Sequence, residues 1–349
     1  MAKTIVGLEI TEEGVRAAEV TVGRSSRVIA FGSVPLPPGA AKDSEIFDAD
    51  AVVLALRQLW SRAGIKSKDV VLGIGSRRIL VRDYTTQAMR PDLLAQALPY
   101  QVQDLLPVPA EQAVLDFLPV SQEGDQITGL LVAAVADTVD ELVTAVTKAK
   151  LNVQSVDLAP FALARAIGAI AAPGETVAAL HLGDHTTYVV VTQDRVPRFV
   201  RIIPMEITTD AVRARSAAGE QADTVVPMVE EVFETVPSTE APTRRRAAAR
   251  GAVRPLSMGA AEIGDVVNRL GSTLRFYADR SAESPVTRVL VSGSGAAVEG
   301  IADALAASLP MPVQLVGLAT VAETKTQVPP GELDLNLVTT AGLVMGMVR

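Results

Sequence analysis

Two stretches of the chain share one strand–turn–strand pattern, and that repetition restricts the fold more than any other feature. "TIVGLEITEEGVRAAEVTV" begins at Thr4 and "TVAALHLGDHTTYVVVTQ" at Thr176. Each is an apolar strand, a tight polar loop and a second strand. A third strand follows in both places, "RVIAFGSVPL" or "VPRFVRIIP". Short β-branched runs punctuated by Gly, Asp and Pro read as strands joined by turns. A chain that opens each half in the same way is expected to build two like lobes.

What lies between the repeats supports an α/β reading. After the first hairpin comes a helix over "DAVVLALRQLWSRA", with Asp48 or Asp50 as N-cap and Gly64 just past its end, then the buried strand "DVVLGIG". From Ile79 to Lys150 the character changes to strand, helix from Pro91, two strands, and helix from Asp137, which reads as an inserted α/β subdomain. In "LPYQVQDLLPVPAEQAVLDFLPV", Leu98, Val102, Leu105 and Leu106 form one apolar helix face bounded by prolines, as core or beside a docked peptide. The expected division is 1–78 with 151–174 as first lobe, 79–150 as insert and 175–349 as second lobe. Residues 216–257 break the pattern, with a helix expected over Asp223 to Thr235 and a mobile loop after it. That loop carries Arg244, Arg245, Arg246, Arg250 and Arg254, read as a solvated face rather than an acidic-partner site. The second lobe then resumes with helix, strand "RVLVSGSG", helix, strand and a terminal apolar helix.

Composition excludes several functions. The 349 residues include no cysteine and two histidines, which removes disulfides, thiolate metal sites and a His-rich centre. Net charge is −8, against binding nucleic acid or anionic lipid. "MAKTIVGLEI" enters a strand directly, without the apolar region of a signal peptide, and no apolar run approaches the ~20 residues of a spanning helix. The expectation is a cytoplasmic protein that reaches a membrane only through a partner.

Paired hairpins suggest a nucleotide held between lobes, with loop N–H groups and small hydroxyls on the phosphates and a strand-end carboxylate for Mg²⁺. The stretches concerned are Glu9 to Gly14, His181 to Thr187 and Ser292 to Ala297. For each a plain reading also stands: ordinary hairpin loops, and a βα turn in "SGSGAAVEG". Glu12 and Glu13 are expected on a solvated loop face, because carboxylates beside phosphate repel it. No Walker A spacing and no GxSxG occur.

The motif order resembles the actin-like superfamily of actin, chaperone ATPases and sugar kinases, and within it the PilM family of type IV pilus assembly proteins, with FtsA more distant. "VGLEITEEGVRAAEV" resembles the family's opening segment with Arg16 at its lysine. The Pro-bounded stretch around Pro107, "VDLAPFALARAI", "LGSTLRFYADR", "VLVSGSGAAVEGIADAL" and "AGLVMGMV" match in order. The resemblance implies an actin-like (ribonuclease H-like) two-lobe α/β fold with an FtsA-type inserted subdomain. By the same resemblance, Thr11, Arg16, Gly183, Thr186, Thr187, Gly293, Ser294 and Gly295 belong to a nucleotide cleft for ATP and Mg²⁺. The departures are Glu9 and His181 at the family's aspartates, Thr11 at a loop glycine, and Glu12, Glu13 and Gly14 at small-hydroxyl positions. No lysine occurs from Leu151 to Thr324, where the family has one near the base.

The implied function is a cytoplasmic scaffold of the pilus inner-membrane platform. It would bind the cytoplasmic N-terminal peptide of a PilN-type membrane partner, communicate with the motor ATPases, and carry a weakened nucleotide cleft without hydrolysis. The alternatives are an active actin-like ATPase and an FtsA-like filament-forming membrane tether. A tether needs a C-terminal amphipathic anchor, which "LVTTAGLVMGMVR" does not resemble.

Overall fold

The computed structural model describes residues 3–23, 26–42, 44–223, 258–281 and 283–346, with backbone alone over 217–223. The arginine cluster and nearly all of the helix expected over Asp223 to Thr235 lie outside the described residues.

The chain begins with strands β1 (Thr4–Ile10), β2 (Gly14–Thr21) and β3 (Arg27–Pro35). The two-residue strands β4 (Ala41–Lys42) and β5 (Glu45–Ile46), helix α1 (Ala49–Ala63) and β6 (Asp69–Ile74) follow. Asp48 is the α1 cap, accepting the Ala51 N–H at 2.9 Å, and Gly64 closes the helix in the left-handed region at φ 65°. Next come β7 (Leu80–Gln87), α2 (Pro91–Gln101), β8 (Ala113–Glu123), β9 (Gln126–Val135) and α3 (Ala136–Lys148). The chain then returns through β10 (Asn152–Leu158) and α4 (Ala159–Gly168).

The second half repeats the opening with β11 (Thr176–Leu182), β12 (Thr186–Gln193) and β13 (Val196–Pro204), then α5 (Asp210–Asp223). After the undescribed stretch come α6 (Ala260–Arg280), β14 (Arg288–Ser292), α7 (Ile301–Ser308) and β15 (Val313–Leu315). Helix α8 (Leu318–Val321), β16 (Glu323–Thr324) and α9 (Glu332–Gly342) complete it.

The two large sheets have one plan. The first runs β10-β6-β1-β2-β3-β16 and the second β13-β12-β11-β14-β15. In both, an antiparallel meander is extended on the side of its first strand by parallel strands (β6 then β10, or β14 then β15). Central strands are covered on both faces, so β11 is buried along its whole length and reads as a continuous apolar run. A third sheet, β7-β9-β8, is antiparallel and drawn from residues 80–135.

Each large sheet has its own core. Leu8, Val15, Val52, Leu56, Leu59 and Leu72 fill the first, into which α3 also sends Leu142 and Val146. Leu180, Val189, Val267, Leu270 and Leu305 belong to the second. A separate core between them is built on α4 and α9, with Leu163, Ile167, Leu337 and Val338 fully buried. Small residues permit that approach: a Cβ on Gly7 would run into the Thr340 carbonyl, and one on Gly342 into that of Ala162.

Three boundaries differ from expectation. Helix α2 stops at Gln101, and Gln103–Leu105 form a 3-10 turn instead of its continuation. Leu98 and Val102 are therefore buried and Leu106 packs beside them, while Leu105 points outward at 37% exposure. After β14 the chain makes a 3-10 turn over Ser294–Ala297 before α7 begins at Ile301. The terminal helix lies one to two turns earlier than the apolar run suggested. Among the described residues no helix is long and apolar enough to cross a membrane.

Candidate functional site

The β1–β2 and β11–β12 hairpins share one register, position by position. Glu9 faces Arg16 across the first ladder, and His181 faces Tyr188 across the second. Each loop is closed by the same bond: Thr11 N–H to the Gly14 carbonyl at 2.9 Å, Gly183 N–H to the Thr186 carbonyl at 3.1 Å. Glu13 and His185 thus occupy equivalent places at the two loop tips. The loops face each other across a cleft between the lobes, enclosing a cavity of about 60 Å³. That is room for several waters.

Of the residues singled out in the sequence, Thr11, Arg16, Gly183 and Thr186 line this cavity. Thr187 does not, being fully buried with its hydroxyl 3.8 Å from the Met205 sulfur. Gly293, Ser294 and Gly295 are also outside the lining. Gly293 takes φ 91° and donates its N–H to the Leu335 carbonyl, while the Ser294 N–H donates to Asn336 on α9. This turn is tied to the cleft through Asp184, whose Oδ1 accepts the Ser294 hydroxyl at 3.0 Å and the Thr209 hydroxyl at 2.5 Å.

Glu13 is not on a solvated face, contrary to expectation. It is 7% exposed and meets cations from the second lobe: His185 Nε2 at 2.6 Å and Arg215 Nη1 at 2.6 Å. Arg215 also donates to the Glu12 carbonyl at 3.0 Å, and His185 Nδ1 meets Glu206 at 2.5 Å. Glu12 is the one of the pair that remains partly open, 3.9 Å from the imidazole. Burial opposes charge on both partners, but the pairing outweighs it. The Glu13 carboxyl is held below its ordinary value by His185 and Arg215. Despite its burial, His185 is pushed up to about 9 by its bond to Glu13 and the charges of Glu206 and Glu12. At neutral pH this is a charged bridge between lobes.

Behind the tips, the strand ends are stoppered by α9. The Thr340 hydroxyl donates to Glu9, and the Thr339 hydroxyl lies 3.0 Å from His181 Nδ1, with Ser292 Oγ at 3.2 Å. Burial, then the nearby Arg16 charge, lowers His181 to about 3, so this imidazole is neutral. It stacks on Tyr188 with ring centroids 5.5 Å apart, and the Tyr188 hydroxyl donates across the lobes to the Gly75 carbonyl at 2.9 Å. Burial, reinforced by Glu9, raises that phenol above its ordinary range. Arg16 is 7% exposed, and its Nε finds no hydrogen-bond partner among the described residues.

Arg215, Glu206, Thr339 and Thr340 carried no signal in the sequence. The Glu13–His185 pair did: aligning the two hairpins by their turns sets an acid opposite a base at one shared position.

Two like-built lobes packed about α4 and α9, with hairpin loops facing across a cleft and a three-stranded inserted subdomain, make this an actin-like α/β protein. The family model for type IV pilus assembly protein PilM matches residues 7–201, more than half of the chain, and the chain belongs to that family. Among solved structures, one described as the PilM–PilN type IV pilus biogenesis complex is similar over all of both chains, at 19% identity and TM-score 0.76. The ethanolamine utilization protein EutJ from Carboxydothermus hydrogenoformans is similar over 99% of this chain and 90% of its own, at 12% identity and TM-score 0.48.

Proposed function

We propose that the chain is a cytoplasmic scaffold of the type IV pilus inner-membrane platform, holding the cytoplasmic N-terminal peptide of a PilN-type membrane partner. Its interlobe cleft is filled by its own ion pairs and not by ATP with Mg²⁺. The observation that carries this reading is the bridge from Glu13 to His185 and Arg215, which occupies the place between the hairpin tips.

The side chains present do not fit a magnesium nucleotide. A triphosphate between the loops would meet Glu12 and Glu13 as like charges, and could enter only by displacing Glu13 from His185 and Arg215. Glu9 is committed to Thr340, and the equivalent strand end offers a neutral imidazole in place of a carboxylate. Thr11, Arg16, Gly183, Thr186, Thr187, Gly293, Ser294 and Gly295 are on this reading remnants of a nucleotide cleft that now serve packing. Residues 1–78 with 151–174, 79–150 and 175–349 would be the working units.

Membership of the PilM family and likeness to a chain described in complex with PilN support the partner assignment. The surface where the first lobe meets the inserted subdomain, around Ile74 and Val135, is the place we assign to the peptide. From there the scaffold would pass the state of the platform to the motor ATPases. Pull-down of the full chain with PilN-type cytoplasmic N-terminal peptides tests this: one encoded beside it should be retained. Failure of every such peptide to bind would contradict the assignment.

A further inference from the structure

A second surface, sharing no residue with the interlobe cleft, carries positive charge that has no carboxylate partner among the described residues. Strand β13 is the outermost strand of the five-stranded sheet. Beside its last residues, Arg201–Pro204, an open groove of about 500 Å³ is closed on the other side by Asn268, Arg269, Ser272 and Thr273 of α6. Arg269, Thr273, Phe276 and Arg280 recur at helical spacing and form one stripe of that helix. Phe276 is 40% exposed, with the Arg201 guanidinium 5.1 Å and the Arg280 guanidinium 5.3 Å from its ring centre.

Scattered surface arginines are ordinary, and most mean nothing. Here their partners are the point. Arg280 is paired with Asp83 at 3.2 Å, whereas Arg269 donates to a backbone carbonyl, that of Pro204, at 2.9 Å. Neither Arg201 nor Arg269 has a carboxylate within ion-pair distance among the described residues. Stacking on the phenyl ring holds the Arg201 guanidinium in place, so little further ordering is needed to receive an anion. A groove with cations on both walls and an exposed ring at its end, on a chain of net charge −8, is complementary to one class of ligand.

We infer that this groove docks an extended acidic segment of a partner protein. Two of its carboxylates would engage Arg201 and Arg269 in paired N–H···O contacts, and an apolar side chain would cover Phe276. A protein segment suits the site better than a nucleic acid or an anionic membrane. The net negative field opposes a long polyanion, and the cations are few and local. This inference is independent of the reading of the nucleotide cleft and of the PilN-type peptide.

Fluorescence anisotropy of a labelled peptide of alternating Glu and Val, added to the full chain at low ionic strength, tests it. Saturable binding is expected, weakening with salt and by at least about tenfold in the Arg201→Glu/Arg269→Glu variant. Phe276→Ala should weaken it by about threefold. A peptide of alternating Lys and Val should not bind. Circular dichroism checks that the variants fold, and Arg201→Gln/Arg269→Gln serves if charge reversal prevents folding. Absence of saturable binding, or equal affinity in wild type and double variant, would overturn the inference. So would preferential binding of a duplex DNA oligomer or phosphatidylglycerol vesicles in the same assay.

Discussion

The β1–β2 and β11–β12 hairpins have the same backbone and opposite chemistry. Both close on the same four-residue hydrogen-bonded turn and place a buried polar residue one position before the end of the leading strand. The first then offers Glu9, Glu13 and Arg16, and the second His181, His185 and Tyr188 at the equivalent positions. A pair of loops that shared one anion would need like chemistry on both sides. These two have become complementary to each other, acid at one tip and base at the other, so the lobes bind directly. On the proposed reading, the fold keeps the form of a ligand site while its own side chains supply the ligand.

Removing one member of the bridge should break that complementarity unequally. Glu13→Ala takes from Arg215 its carboxylate partner, leaves His185 with Glu206 and the more distant Glu12, and should cost about 3 kcal/mol in urea unfolding. His185→Ala leaves Glu13 paired to Arg215 and should cost clearly less. Equal costs would mean that the two loops are not asymmetric in this way.

The same bridge defines a pH window. His185 has a folded value of about 9 against 6.5 unfolded, so its contribution is complete below 6.5 and lost as pH rises through 9. On the order of 2–3 kcal/mol should disappear over that range, after discounting for partial exposure. Glu13 is shifted the other way, so its contribution is present above 4.5 and lost as pH falls through its lowered folded value. Thermal melting across pH should show a plateau between the two losses, and His185→Ala should remove the alkaline one.

Smaller effects separate the strand ends. Thr340→Val strips the hydroxyl from the buried Glu9 carboxylate and should cost about 2 kcal/mol. Thr339→Val should cost under about 1 kcal/mol, because His181 keeps Ser292. Glu206 is mostly exposed, and Glu206→Gln should change stability by at most a few tenths of a kcal/mol. Denaturant titration of the three variants would expose any inversion of this order.

Much of the fold is legible in the sequence because hairpins, caps and apolar periodicity are local signals. Asp48 and Gly64 delimit α1, and the repeated meander announces two lobes. The site was less legible for a physical reason. The adjacent acids Glu12 and Glu13 read as a solvated loop unless their partners are known, and Arg215 lies 202 positions from Glu13 in the chain. Thr339 and Thr340 sit inside a helix that reads as apolar packing, and only the fold brings their hydroxyls to Glu9 and His181. Leu105 was misplaced because the apolar spacing continues past Gln101 while the helix does not.

Equilibrium binding of labelled ATP in the presence of Mg²⁺, with turnover followed in the same samples, decides whether the interlobe cleft takes a nucleotide. A cleft occupied by its own ion pairs should show no saturable binding below the millimolar range and no hydrolysis. Micromolar affinity with measurable turnover would contradict that account of the cleft.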